Sequence, residues 1–469
     1  MKQHANVVVV FSIMLFFSTM GCKKFVEIPP PVTQLGAPSV FSNSAAATAA
    51  LTAIYSEMQN ESFNMSSSCG LLSDELTNYS TSSITNIQKY TNSLKASNNS
   101  GPWNRAYSYI FQANSIIEGV KENNGISLAV RQQLIGESKF IRAFWIFYLA
   151  NLYGDVPLVT STDYTVNKTI ARTLKADVYV QIIKDLKEAE IALNSKYVNA
   201  SDTVVTTDRV RPTKWAAKAL LARVYLYTGD YANAVTYASE VINNTELFAL
   251  APELKAVFLA NSQEAIWQLA VPLPTFINTA DGAGFILIST GTLAISPELM
   301  NSFEAGDSRK AEWVGSFTGT APPITTYYFP YKYKVRQSDV VTEYTMVLRL
   351  AEQYLIRSEA LVALGTDIPG AIADLDTIRS RAGLPHYSGS MNKDSLLSAV
   401  LHERQTELFT EWGHRWFDLI RTKKINSVMG IPGNVCQMKG GIWSSNWQLF
   451  PIPQSEINVD VKLTQNEGY

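Results

Sequence analysis

Long stretches of the chain place apolar residues at the three- and four-residue spacing of an amphipathic helix. An Ala-rich segment begins after the capping residues Asn43 and Ser44, and further helical stretches run over residues 103–121 and 128–153. A stripe of the same kind is formed by Val178, Ile182, Leu186, Ala189 and Leu193. This pattern predicts a mainly α-helical protein.

Two of the predicted helices meet at a turn whose flanking residues have the spacing of a tetratricopeptide-like helix pair. Pro212 suits the first turn of the first helix, and Gly229 ends that helix. The small and apolar residues around the turn are Leu221, Ala222, Tyr225, Ala234 and Ala238. A looser copy, with one additional residue, consists of Tyr354, Leu361, Gly365, Ala371 and Leu375. Repeated pairs of this kind predict a stacked α-solenoid core.

Other parts of the chain lack helical periodicity. Residues 62–101 are rich in Ser, Asn and Thr, and residues from about 250 to 345 contain many Pro, Gly and aromatic residues. Within the second region, residues 325–335 alternate and predict a strand with Tyr327, Phe329, Tyr331 and Tyr333 on one face. We therefore expect one domain over residues 41–469, with a helical repeat core at about 41–250 and 346–425, a loop-rich part at about 250–345, and an irregular part at 426–469.

The amino-terminal segment has the layout of a bacterial lipoprotein signal. Lys2 precedes an apolar stretch over residues 7–17, which suits the core of a signal peptide and is too short to span a bilayer as a helix. Cleavage before Cys22 would free that residue to carry diacylglycerol on its thiol, and a second acyl chain on its amino group would make the anchor stable. The prediction is a signal peptide over residues 1–21 and a lipidated, Pro-rich tether over residues 22–40.

Composition and charge narrow the classes of partner. Removing Lys2 with the signal leaves 38 of the 39 Lys and Arg residues against 41 Asp and Glu, a formal net charge of −3. A chain so close to neutral gives no indication of a nucleic-acid partner. The hydrophobic fraction of 46% and the many aromatic residues indicate a globular protein and argue against disorder. The sequence leaves open whether Cys69 and Cys436 form a disulfide.

Sequence signatures of enzymes are missing, and the prediction is a binding protein without a catalytic residue, cofactor or metal. His402 is followed by Glu403, but no second His stands four residues on, so the zinc-protease pattern is absent. No nucleophile elbow or phosphate loop occurs. Glu403, Glu407 and Glu411 share one helical face, and nearby Arg residues favour a structural ion network over acid–base chemistry. A pair of glycosidase carboxylates, which need meet only in space, stays open at this point.

Several segments together resemble the SusD/RagB family, the surface nutrient-binding lipoproteins of Bacteroidetes. Besides the lipoprotein start and the helix turn at Gly229, they are Trp103, Tyr107, Ile110, Ala113 and Asn114; Glu137, Arg142 and the run Tyr153 to Pro157; Leu348 to Ile356; Ile378 to Gly383; and Glu403 to Arg421. The chain also ends with Pro451-Ile452-Pro453 and Gln465 to Tyr469, as that family tends to. The resemblance implies an α-helical fold with four tetratricopeptide-like repeats and an irregular subdomain. It also implies a role beside a SusC-like TonB-dependent outer-membrane transporter.

A glycan site needs exposed aromatic rings, on which sugar C–H faces stack, beside polar groups that bind the hydroxyls. The ligand-contacting residues that we predict on this basis lie in two regions of the chain. The first region contains Asp74, Asn78, Tyr79 and Tyr90, and the second contains Phe276, Asn278, Asp281, Phe285, Trp313, Tyr327 and Tyr328. Trp313 and Tyr79 are the preferred candidates. In the resembled family such sites are built from variable loops, so no site residue follows from a shared motif.

Three functions are compatible with these observations. The first is a surface protein that binds an oligosaccharide or polysaccharide and delivers it to the transporter. The second is a peptide-binding lid, as in the RagB branch of the family. The third is a tetratricopeptide scaffold that binds only protein. Exposed aromatic residues in loops favour the first, a charged groove with few rings would favour the second, and a bare concave helical surface would favour the third.

Overall fold

The computed structural model describes residues 40–201, 204–320 and 323–469. The predicted signal peptide and the lipidated Cys22 lie outside these residues. The helices are α1 Ser44–Met58, α2 Glu61–Leu72, α3 Ile84–Tyr90, α4 Gly101–Val120, α5 Leu128–Tyr153, α6 Tyr164–Asn167, α7 Lys175–Ala192, α8 Lys214–Thr228, α9 Tyr231–Ile242, α10 Ala280–Phe285, α11 Pro297–Ser302, α12 Ser308–Glu312, α13 Leu350–Leu364, α14 Ile368–Arg381, α15 Lys393–Glu407, α16 His414–Arg421, α17 Ile425–Met429, α18 Val435–Met438 and α19 Gln454–Val459. Helices therefore dominate the fold, as predicted.

The long helices pack on one another in chain order. Helix α4 packs on α5, α5 on α7, α7 on α8, α8 on α9, α9 on α13, and α13 on both α14 and α15. Small residues at the crossings allow this close packing: a Cβ atom added to Gly136 of α5 would lie 3.0 Å from the Cβ of Ala192 at the end of α7. The stacked helix pairs confirm the predicted tetratricopeptide-like core.

Both predicted repeat turns are present. Helix α8 ends at Gly229, whose φ of 77° is in the left-handed region, and the side chain of Asp230 caps α9 by accepting a hydrogen bond from the Asn233 amide. Helix α13 ends in the same way at Gly365, with φ 69°, and Asp367 caps α14. Positive φ carries little steric penalty for glycine, which explains glycine at both helix ends.

The strands are short and form four separate antiparallel pairs. They are β1 Leu76–Asn78, β2 Val156–Pro157, β3 Arg172–Thr173, β4 Ala265–Leu269, β5 Leu293–Ile295, β6 Val314–Thr318, β7 Thr326–Pro330 and β8 Thr345–Arg349. The pairs are β1–β5, β2–β3, β4–β8 and β6–β7. The strand predicted over residues 325–335 ends early, at Pro330, although the Tyr331 amide still donates to the Trp313 carbonyl at 2.8 Å. Beyond it, Tyr333 is buried, and its hydroxyl accepts a hydrogen bond from the Met346 amide at 2.8 Å.

The carboxylates of Glu403, Glu407 and Glu411 belong to a buried ion network, as predicted. Arg349 contacts Glu407 at 2.6 Å and Glu411 at 2.8 Å, and Arg309 contacts Glu403 at 2.6 Å. Burial opposes ionisation of Glu407, but the surrounding guanidinium groups hold its pKa well below the usual range. These acids therefore join elements of the fold.

Cys69 and Cys436 do not pair: both are buried free thiols. The thiol of Cys69 lies 3.7 Å from the sulfur of Met65, and burial raises the pKa of Cys69 far above its usual range. None of the helices among the described residues is both long enough and apolar enough to cross a bilayer.

Candidate functional site

Two strand pairs from distant parts of the chain meet beside the helical core, and two predicted site residues meet there. Strand β5 of the β1–β5 pair lies against β7 of the β6–β7 hairpin. At this junction the rings of Tyr79 and Tyr327 pack edge to face, with centroids 4.8 Å apart and planes at 81°. Edge-to-face contact is a preferred aromatic geometry.

The backbone around Tyr79 is held on both sides. The Tyr79 amide donates a hydrogen bond to the carbonyl of Thr292 at 2.8 Å, which extends the β1–β5 ladder by one residue. The side chain of Asn78 turns back on Ser80, accepting from its amide at 3.1 Å and donating to its carbonyl at 2.9 Å. Tyr79 keeps 45% of its surface exposed. It is therefore a fixed and accessible ring.

The hairpin separates the two tyrosines that the sequence placed together. Tyr327 stands opposite Phe317 in the β6–β7 register, whereas Tyr328 stands opposite Ser316. Successive side chains of a strand point to opposite faces. Tyr328 is 41% exposed, but it lies on the face of the hairpin away from Tyr79 and cannot join the same platform.

Tyr90 lies next to this surface and is braced by a lysine from the irregular carboxyl-terminal part. The ammonium of Lys439 lies 5.3 Å from the centroid of the Tyr90 ring. It also donates to the last carbonyls of α2, those of Leu71 at 2.7 Å and Leu72 at 3.1 Å, and to the Ser73 carbonyl at 2.9 Å. A cation at a helix carboxyl terminus is favourable. No sequence pattern predicts this contact, since the groups it joins are more than 300 positions apart.

The prediction that Trp313 contacts ligand is wrong. Its side chain has no exposed surface, and its indole N–H donates to the Leu254 carbonyl at 3.0 Å. The ammonium of Lys332 covers one ring face at 4.8 Å from a ring centroid, and Phe258 and Phe409 pack around the same ring. Trp313 is thus the centre of a small apolar core beneath the loop-rich part.

Asp74 and Asn278 are also buried, and their polar atoms are used within the protein. Asp74 forms a two-pronged ion pair with Arg415, at 2.8 and 2.6 Å. The carbonyl oxygen of the Asn278 side chain accepts from the amides of Thr342 at 2.7 Å and Glu343 at 3.1 Å. Both predictions of ligand contact are wrong, because these side chains hold loops in place.

Asp281 and Phe285, on the short helix α10, are buried as well. Burial raises the pKa of Asp281 to about 7, and one of its carboxyl oxygens accepts from Ser62 at 3.2 Å. The ring of Phe285 packs against Phe63 with centroids 4.9 Å apart. Neither residue presents a surface to a ligand, so these two predictions are wrong.

Phe276 is the most exposed of the predicted site residues, at 79%. It lies in the loop before α10, where its carbonyl accepts from the Ser338 amide at 2.9 Å. Among the described residues its ring has no aromatic neighbour. The structure therefore unites Tyr79 and Tyr327, with Tyr90 and Asn78 beside them, and leaves Phe276 and Tyr328 apart from this group.

The surface formed by Asn78, Tyr79, Tyr90 and Tyr327, called the tyrosine platform below, has the chemistry of a binding site. It offers ring faces for stacking and hydroxyl and amide groups for hydrogen bonds. Across the described ranges, no group of three or more His, Cys, Asp or Glu side chains could hold a metal ion.

Two family models together match most of the chain, each over a different part of it. One, described as "SusD family", matches residues 301–469. The other, described as "Starch-binding associating with outer membrane", matches residues 24–226. The chain is 27% identical over 520 aligned positions to "SusD-like protein P2" of Formosa agariphila, and the alignment covers 97% of this chain and 98% of the relative.

Solved structures described as SusD superfamily or SusD-like proteins share the fold. A SusD superfamily protein from Bacteroides vulgatus superposes with a TM-score of 0.78 and 21% identity, covering 91% of this chain and 99% of that one. A protein described as "Laminarin binding SusD-like protein" superposes with a TM-score of 0.72 and 24% identity, over 91% of this chain and all of the other.

Proposed function

Because the chain belongs to the SusD/RagB family, we propose that it captures oligosaccharides on the tyrosine platform at the cell surface and delivers them to a SusC-like TonB-dependent transporter. The observation that carries this proposal is the edge-to-face pair of the exposed Tyr79 and the half-buried Tyr327 beside Asn78. A related protein of the same fold is described as laminarin-binding, and one matching family model as starch-binding. Both descriptions favour a glycan over a peptide.

Binding without cleavage fits the chemistry of this surface. None of the four platform residues is a carboxylic acid, and the neighbouring Asp74 is paired with Arg415. Ring faces and hydroxyls hold a sugar without activating water. We therefore expect bound oligosaccharide to be recovered unchanged.

The binding proposal is tested by calorimetric titration of the mature chain with Cys22→Ser, which prevents lipidation, against a panel of oligosaccharides and peptides. Tyr79→Ala should weaken glycan binding between about two- and tenfold, because an aromatic contact contributes about 0.5–1.5 kcal/mol. Tyr328→Ala is the matched control, since that ring is equally exposed but lies on the other face of the hairpin. Saturable binding of peptides alone would favour a peptide-binding lid, and an equal effect of both variants would remove the platform from the proposal.

The anchoring part of the proposal rests on Cys22 and the segment before it. Cells expressing the wild-type chain should incorporate labelled palmitate into it, and cells expressing Cys22→Ser should not. Digestion of the wild-type protein by protease added to intact cells would support surface display. Label retained in the variant would contradict lipidation at Cys22.

The transport part of the proposal needs the partner. Uptake of a labelled oligosaccharide by cells that carry a SusC-like transporter should rise when this chain is present. It should rise less with Tyr79→Ala, because less ligand is captured. Uptake that is independent of the chain would contradict a delivery role and leave the binding proposal untouched.

A further inference from the structure

A polar cleft of about 410 Å³ lies beside the tyrosine platform and has no Asp or Glu among its lining residues. Thr292 lines this cleft and also accepts the hydrogen bond from the Tyr79 amide, so the platform and the cleft share the edge of β5. The side-chain amides on its walls belong to Asn64, Asn86, Asn98 and Asn99.

Lys89, in the last turn of α3, brings a positive charge to this cleft without a counter-ion. Its ammonium donates to the Ser68 hydroxyl at 2.8 Å, and no carboxylate of the described residues lies within 4.0 Å of it. Burial lowers the pKa of Lys89 to about 8. Withdrawing a charge from water without a partner costs free energy, so proteins usually supply one. A bound anion would supply the negative charge that Lys89 lacks.

Arg105, in the second turn of α4, adds a second cation. Its Nε atom pairs with the Glu61 carboxylate at 2.7 Å, and Glu61 itself is not part of the lining. Within the described part of the chain, the two terminal nitrogens of Arg105 have no hydrogen-bond acceptor. Gly101 and Pro102, where α4 begins, line the same cleft, and its N-cap residue makes no side-chain capping bond. The amino-terminal end of α4 carries the positive end of the helix dipole, which adds to the positive potential that Lys89 and Arg105 create in the cleft.

We propose that this cleft binds the carboxylate or sulfate group of an acidic glycan, with the adjoining sugar ring on Tyr79. The inference rests on the proposed glycan-binding function and names the class of glycan. The lining of the cleft contains two cations, Lys89 and Arg105, and no carboxylate. Anionic oxygens accept strong, charge-assisted hydrogen bonds from such cations, whereas the uncharged hydroxyls of a neutral sugar do not compensate a buried positive charge.

The test titrates the mature chain with Cys22→Ser against three probes of equal length: a hexauronate, a sulfated galactan hexamer and a neutral glucan hexamer. Lys89→Met should weaken binding of an acidic probe about tenfold and leave the neutral probe unchanged. Lys89→Arg should restore most of the affinity, because it keeps the charge. Lys184→Met, on the exposed side of α7 far along the chain, is the matched control for loss of one positive charge.

The dependence on pH provides an independent readout. The charged and titratable groups that face Lys89 are the Cys69 thiol of α2 and the guanidinium of Arg105 of α4, and burial holds the pKa of Cys69 far above the pH range of the test. Affinity for the acidic probe should therefore fall between pH 7 and pH 9 as Lys89 loses its proton. The Lys89→Arg variant should not show this fall, and added salt should weaken acidic binding more than neutral binding.

The possible outcomes separate the two proposals. Preference for the neutral hexamer, or equal weakening of all probes by Lys89→Met, would overturn the acidic subsite and leave the glycan-binding function standing. No binding of any hexamer would overturn both. A preference for only the uronate or only the sulfated probe would support the subsite and identify the anion.

Discussion

Aromatic side chains from irregular segments of this chain occupy opposite environments. Trp313 has no exposed surface, whereas Tyr79 is 45% exposed, although both follow short elements in polar, loop-forming sequence. An indole can bury its large apolar area if its single N–H finds a carbonyl, and Trp313 has that partner in Leu254. The residue type therefore does not decide between core and platform; the packing around it does.

We predict that Trp313→Ala destabilises the fold by about 3–5 kcal/mol, since it leaves a cavity where a large buried ring stood. The measurement is the free energy of unfolding from urea denaturation. The control is Tyr328→Ala, an exposed aromatic residue whose removal should change stability by about 0.5 kcal/mol or less. Similar small losses in both variants would contradict the core role of Trp313.

Glu75 gives a residue-scale prediction about pH. It is buried next to Asp74, and burial, reinforced by the Asp74 charge, raises its pKa to about 8. A carboxyl whose folded pKa is raised contributes stability below its unfolded pKa and loses that contribution as pH rises through the folded value. Glu75→Gln resembles the protonated acid, so its stability relative to the wild type should rise between pH 5 and pH 8.5, by about 4 kcal/mol.

The check on Glu75 is chemical denaturation of both proteins at the two pH values. The quantity to compare is the difference in unfolding free energy between the two proteins at each pH. Other buried groups, such as Lys439 with a pKa of about 7, also titrate in this range, but they contribute equally to both proteins. A stability difference between the two proteins that does not change with pH would show that Glu75 is ionised throughout.

At the scale of elements, short strands position the platform, and their lengths were only partly predictable. The alternation over residues 325–335 correctly indicates a strand and places Tyr327 and Phe329 on one face. It does not indicate the partner strand β6 or the contact with β5, because pairing between strands depends on backbone positions brought together from elsewhere. The helix turns at Gly229 and Gly365 were predictable, since their signal is local.

Gly315 gives a test of the β6–β7 hairpin. A Cβ atom at this position would lie 2.3 Å from the buried ring of Phe329, the cross-strand partner. Gly315→Ala should therefore displace Phe329 and with it Tyr327 on the same face, lowering glycan affinity several-fold while the helical circular dichroism signal is kept. Gly319→Ala is the matched control, because the nearest atom there, the Thr325 carbonyl oxygen, lies 3.7 Å away. Equal affinities in both variants would contradict this account.

At the scale of the whole molecule, a buried ion network joins the loop-rich part to the helical core. Arg349 at the end of β8 contacts Glu264 just before β4, Glu407 at the end of α15, and Glu411 beyond that helix. Arg309 of α12 contacts the same α15 face. Buried charges of this kind are costly when unpaired. Their mutual pairing therefore makes the relative placement of these elements specific.

We predict that Arg349→Met lowers the free energy of unfolding by about 3–5 kcal/mol, because three buried carboxylates lose their shared partner. Urea denaturation followed by tryptophan fluorescence measures the loss. Lys255→Met removes a lysine from the exposed pair with Glu253 and should leave stability unchanged. A loss no larger than that of the control would mean that the network is not required for stability.

The sequence by itself determined the helical class, the two repeat turns, the structural use of the α15 carboxylates and the family resemblance, because periodicity, capping and glycine at helix ends are local properties. Only the tertiary structure decided which aromatic residues reach solvent. Trp313 and Phe285 entered cores, whereas Tyr79 met Tyr327, some 250 positions away, at the junction of two strand pairs. Burial depends on neighbours that come from distant parts of the chain, and a linear pattern carries no record of them.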